Sequence, residues 1–270
     1  EADMAADPPL IGKPARYARE VTLSNLPSDH EWPEFDIIIL ASHTCMTSQV
    51  CSMMGLRACS VADRRVVLQP PEGCMHVIAA ESEFRACYPH TPIVVDMHLT
   101  CSYANFASME TWPDKVRDGS FLQAALEAID ALAWGWHAGF EQPPSGYVHL
   151  FGEPDFKLNA LDFGDTRFKD IWYWTRNLPG PEMPGRAKRR RKGGPSAAFS
   201  SLVQERDPER RMLARSTTSP YAAVALVRAW KQVIDSHKAN ESGESLQGGS
   251  DAAWRAAKMK EVKSNFTTFA

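Results

Sequence analysis

Two short apolar runs, Phe35-Asp36-Ile37-Ile38-Ile39-Leu40 and Pro92-Ile93-Val94-Val95-Asp96-Met97, constrain the fold of this chain more than any other feature. Neither alternates apolar with polar residues, so each reads as a strand buried on both faces. Residues 57–63 and 168–175 read as further strands, and Phe140-Glu141 opens another. Helical patterns lie between them. The clearest spans 120–138, with Leu122, Leu126, Ile129, Ala133 and Trp136 at helical spacing, Ser120 as cap and Gly139 as stop. Shorter helical stretches fall at 48–55 and 220–235. Buried strands alternating with helices predict an α/β fold built on an open, mostly parallel sheet with helices on both faces.

The 270 residues suffice for a sizeable core. Residues 1–34 are Pro-rich and polar and read as an N-terminal arm with at most one short strand near Val21. The domain proper spans 35–235, a flexible linker 236–250, and a helical tail 251–270. No 18 apolar residues run together, which excludes a transmembrane helix. Six cysteines (45, 51, 59, 74, 87, 101) lack C-x-x-C spacing and are too sparse for a disulfide scaffold. Reduced thiols in an intracellular protein are expected. Glu1 in place of Met fits N-terminal processing, removal of a targeting peptide included, so the compartment stays open. His43, His90, His98, His137 and His149 fit no metal spacing, so no metal site is expected.

The net charge of −3 conceals an asymmetry. Residues 186–215 hold ten Lys and Arg against three Asp and Glu, leaving −10 for the rest. The densest part, Lys188-Arg189-Arg190-Arg191-Lys192, repels itself and reads as a mobile basic loop. Three roles are open to it: a solvated loop, a contact for nucleic acid phosphates, or a targeting signal.

In an open α/β sheet ligands bind beyond the carboxyl ends of the strands. Two candidates sit in such loops. Cys101, in His98-Leu99-Thr100-Cys101-Ser102-Tyr103, is placed either as a nucleophile or as a buried free thiol. Glu141, at a strand end before Gln142-Pro143-Pro144, faces a cleft or solvent, since two prolines stop the ladder.

The segment Phe163-Gly164-Asp165-Thr166-Arg167-Phe168-Lys169-Asp170-Ile171-Trp172, closing on Asn177-Leu178-Pro179, resembles a signature of phage and bacterial DNA cytosine-5 methyltransferases. Glu141-Gln142-Pro143 is similar to that family's Glu-Asn-Pro motif. Leu99-Thr100-Cys101-Ser102 stands where the family has Pro-Pro-Cys, and 215–225 resembles its closing stretch. The resemblance implies a Rossmann-like class I methyltransferase fold. It also implies methyl transfer from S-adenosylmethionine to cytosine, in which a thiolate adds at carbon 6 to activate carbon 5. It assigns the attack to Cys101, the acid at ring nitrogen 3 to Glu141, and a contact to the base carbonyl to Arg167 or Lys169. For the cofactor it implies Ser42, Asp63, Ser216 and Thr218. The target base would leave the duplex to react.

The chain also departs from the family. Residues 40–48 contain no glycine where the family wraps its cofactor with Phe-x-Gly-x-Gly. Pro-Pro has become Leu99-Thr100, and Asn has become Gln142. These departures support an alternative: an inactive methyltransferase-fold protein retained as an interaction subunit of a larger assembly, one that can include nucleic acid.

Overall fold

In the computed structural model, β2 (Ile37–Leu40) is fully buried and stands at the middle of an eight-stranded sheet ordered β1-β4-β3-β2-β5-β6-β8-β7. The structure describes residues 19–27, 30–40, 46–63, 74–98, 112–165, 169–183, 219–241 and 252–269. The strands are β1 (Arg19–Thr22), β3 (Ala58–Ala62), β4 (Cys74–Ile78), β5 (Val94–His98), β6 (His137–Gln142), β7 (Phe156–Asn159) and β8 (Asp170–Arg176). The helices are α1 (Thr47–Met53), α2 (Glu81–Cys87), α3 (Trp112–Arg117), α4 (Ser120–Trp134), α5 (Tyr147–Phe151), α6 (Pro220–Glu241) and α7 (Ala252–Phe269). All neighbours from β1 to β6 pair in parallel; β8 alone is reversed, between β6 and β7. The fold is thus α/β with a mostly parallel mixed sheet.

Period-two alternation explains the layers. Ile38 and Leu40 point into one cluster with Val95, Met97, Phe84, Phe121 and Ile129, under α2 and α4. Ile37 and Ile39 point the other way, against Val50, Cys51, Leu226 and Trp230 of α1 and α6. On the first face α7 lies over α4 and α5 and buries Val262. There Arg255 Nε meets Asp130 Oδ1 at 2.6 Å, and Asn265 Nδ2 donates to the Leu150 carbonyl at 2.8 Å.

Several expected boundaries move. The helix predicted over 120–138 stops at Trp134, and residues 137–142 are strand β6. Gly135 passes so close to β5 that a Cβ there would meet Val95 Cγ2 at 2.7 Å, so the chain turns where only glycine fits. Ser120 does not cap α4. Instead its backbone N–H donates to Asp118 Oδ1 at 2.8 Å, with Gly119 in the left-handed region at φ 78°. Helix α6 runs past the expected boundary at 235 to Glu241, because His237 is buried against Trp136 and Lys238 reaches the sheet. The one short strand expected in the arm near Val21 is β1, which pairs with β4 at the sheet edge. Strand β4 was not legible because His76 interrupts its apolar run; that imidazole is buried against Ser60 Oγ at 2.8 Å. Cys51, Cys59, Cys74 and Cys87 are free thiols.

The contact from Lys238 fixes α6 to the amino end of the central strand. Asp36, 1% exposed, accepts from the Arg57 backbone N–H at 2.9 Å, Arg57 Nη2 at 2.8 Å and Lys238 Nζ at 2.8 Å. Burial raises this carboxyl, but the bonds from Arg57 and Lys238 outweigh it and hold it below the ordinary value of 3.8. An acid depressed in the folded state stabilises above its unfolded value and loses that contribution as pH falls. Asp36→Asn is expected to cost about 2 kcal/mol at pH 7, with the deficit shrinking below about pH 4. Urea denaturation of both proteins across pH reads both quantities.

Candidate functional site

The chain leaves β2 toward β3 and β4 on one side, then crosses back to lay β5 and β6 on the other. The direction of the sheet therefore switches between β2 and β5, and open α/β sheets bind their ligands beyond the carboxyl ends at such a switch. Helix α2 begins beside this end, just after β4.

Parallel pairing sets His98 of β5 directly beside Glu141 of β6. Two residues earlier on β5, Asp96 shares the face of His98. Asp96 is fully buried, and Glu141 is 8% exposed. The His98 imidazole lies between them, with Nε2 2.9 Å from Asp96 Oδ2 and Nδ1 3.2 Å from Glu141 Oε2. Because β8 is reversed, its amino end arrives at this same edge. It brings Lys169 Nζ to 3.9 Å from Glu141 Oε1, and the Tyr173 hydroxyl donates to Oε2 at 3.5 Å.

The two carboxyls are driven apart. Burial raises Glu141, but the charges of His98 and Lys169 and the bonds from His98 and Tyr173 pull it down to about 2. Asp96 stays above the ordinary carboxylate range, because burial, aided by the Glu141 charge, exceeds the pull of His98. Its Oδ1 is buried with no hydrogen-bond partner among the described residues. Along the same edge Glu81, the first residue of α2, is raised to about 7 by burial, with Glu127 and Asp63 adding to the push against Arg85 and His98.

Of the residues singled out from the sequence, the structure brings Glu141 and Lys169 together. Asp63 stands exposed just past the end of β3. Ser42, Cys101, Arg167, Ser216, Thr218 and the basic run Lys188, Arg189, Arg190, Arg191 and Lys192 lie outside the described residues. Sequence reasoning missed the central member, His98, and its partner Asp96. A usable signal existed: an Asp-x-His at the end of a buried strand shares one face, and a second strand ends on Glu.

No protein-family model matches the chain, and no curated protein matches it. Among the described residues no helix is long and apolar enough to cross a membrane, and none gathers into a metal-holding group of three or more His, Cys, Asp or Glu.

The low Glu141 value carries a pH signature. Its contribution is fully present above the ordinary 4.5 and is lost as pH falls toward 2. Glu141→Gln is expected to be about 1–3 kcal/mol less stable than the parent at pH 7. The gap should narrow between about pH 4.5 and 2, as read from urea midpoints in that window. A gap that is constant with pH would contradict the assigned ion pairing.

Proposed function

We propose that the chain is a methyltransferase of the cytosine-5 type that acts on DNA, with S-adenosylmethionine as methyl donor. The observation that carries the reading is a buried, ionised Glu141 at the end of β6, beside the end of β5, with Lys169 reaching it from β8. Cys101 lies three steps along the chain from His98, a span of at most about 10 Å. A thiol within that span and a carboxyl on the neighbouring strand are the pair that pyrimidine activation requires.

The cofactor supplies an electrophilic methyl group. Asp63 fits its ribose, since an exposed carboxylate just past a strand end beside the switch point can accept from two adjacent hydroxyls. Cys101 Sγ adds to carbon 6 of the cytosine, and electron density moves toward ring nitrogen 3, where Glu141 meets it. Lys169 or Arg167 holds the carbonyl oxygen. Carbon 5 takes the methyl group and then gives its proton to water, the C5–H electron pair restoring the ring double bond as the C6–S bond breaks and the Cys101 thiolate leaves.

The test is transfer of labelled methyl to cytosine-containing DNA. The parent should transfer, Cys101→Ser should abolish transfer, and Glu141→Gln should slow it by 10²–10⁴-fold. A second reading, an inactive interaction subunit, is favoured by the glycine-free stretch 40–48. It would be supported if calorimetry at millimolar S-adenosylmethionine gave no heat and no label entered DNA.

The basic run 188–192 suits contact with DNA phosphates on its charge alone. Five neutralised phosphates give a slope of log affinity against log salt of about −4 on duplex DNA. Replacing the five residues with Ser should flatten that slope and leave the urea midpoint unchanged. A slope that does not respond would return the run to a solvated role.

A further inference from the structure

The Asp96–His98–Glu141 row contains one more proton than its carboxylates explain. With Glu141 ionised and accepting, His98 Nδ1 must carry the hydrogen across the 3.2 Å contact. The 2.9 Å contact between Nε2 and Asp96 Oδ2 needs a hydrogen as well, because two facing lone pairs repel. That second proton is shared between Asp96 and His98, so the two titrate as a unit. Lys169 and Tyr173 face Glu141 from the β8 side, and the charge of Glu81 on α2 also reaches His98.

We propose that the Asp96–His98 pair is the proton store of this site, and that His98 is a positioning residue that loads and unloads Glu141. The proposal rests on the methyltransferase reading for its recipient, the ring nitrogen of a bound pyrimidine. A carboxylate held as low as Glu141 cannot keep a proton at neutral pH, so it needs a donor to act as an acid. As the ring nitrogen gains electron density, the His98 Nδ1–H bond breaks and a Glu141 O–H bond forms. Glu141 then gives this proton to the nitrogen. His98 is left as a neutral imidazole with its remaining hydrogen on Nε2 toward an ionised Asp96. When the thiolate is expelled, the nitrogen returns the proton to Glu141 and Glu141 returns it to Nδ1. No proton is consumed. Burial of Asp96 suits it to this work, because a buried carboxyl whose Oδ1 has no partner among the described residues holds its share of the proton more readily than a solvated one.

The test has two arms on the full chain. In the first, ¹⁵N NMR of the His98 ring is followed from pH 5 to 9. Two protonated nitrogens are expected at neutral pH in the parent, with deprotonation moved at least one unit lower in Glu141→Gln. A single-tautomer neutral ring throughout would overturn the proposal. In the second, mass spectrometry follows covalent capture by Cys101 of an oligonucleotide carrying 5-fluorocytosine, with S-adenosylmethionine present. His98→Gln should slow capture at least 10²-fold at pH 8, with much of the rate recovered at pH 6 and KM for DNA unchanged. Asp96→Asn, which leaves the imidazole in place, should shift the same profile to lower pH. Capture by the parent with an unaltered profile in both variants removes this proposal alone. No capture by the parent at any pH removes the methyltransferase reading and this proposal with it.

Discussion

Everything in this structure depends on a central strand with no exposed face. Ile37 to Leu40 are each fully buried, so apolar layers must form on both sides of β2. Parallel neighbours allow this, since crossovers such as α1, α2 and α4 lay helices on the sheet. The result is two separate cores, one under α2, α4 and α7 and the other under α1 and α6. Asp36 at the amino end of β2 then fastens α6 through Lys238, with Arg57 completing the charge balance.

The carboxyl end of the same sheet is built on different terms. Two acids on adjacent strands, both sheltered from water, would repel and lose hydration together. His98 between them and Lys169 beside them offset that cost. The environment separates the two carboxyls, with Glu141 held ionised and Asp96 pushed toward its neutral form. Acids whose affinities for protons are driven apart at a strand-end crevice are a recurring mark of proton-transfer sites. The reversed strand β8 contributes the cation. Run parallel, it would begin at the opposite end of the sheet and leave Glu141 without Lys169.

This geometry bears on both functional readings. The row of Asp96, His98 and Glu141 is costly as scaffold, since apolar residues would fill the same volume without burying charge. That cost favours a chemical role. The glycine-free stretch at 40–48 weighs on the other side, because it stands where the cytosine-5 methyltransferases carry Phe-x-Gly-x-Gly.

Much of the frame was legible in the residues. The doubly buried runs at 37–40 and 94–97 announced an α/β sheet, because only burial on both faces permits so many consecutive apolar side chains. Glu141 and Lys169 were legible as candidates through their place in motif-like segments. Pattern alone could not yield the end of α4, which a close approach of Gly135 to Val95 decides, nor β4, whose His76 is satisfied only by Ser60 on the next strand. His98 was hidden for the same reason. A histidine at a strand end reads as ordinary until strand register sets it against Glu141, and the fold sets Asp96 beneath it in the same row. Local pattern determines which segments are strands or helices, because periodicity and burial are properties of a short stretch. Which side chains meet, and what charge each then holds, is decided by pairing between segments some forty residues apart, and only the tertiary structure contains that.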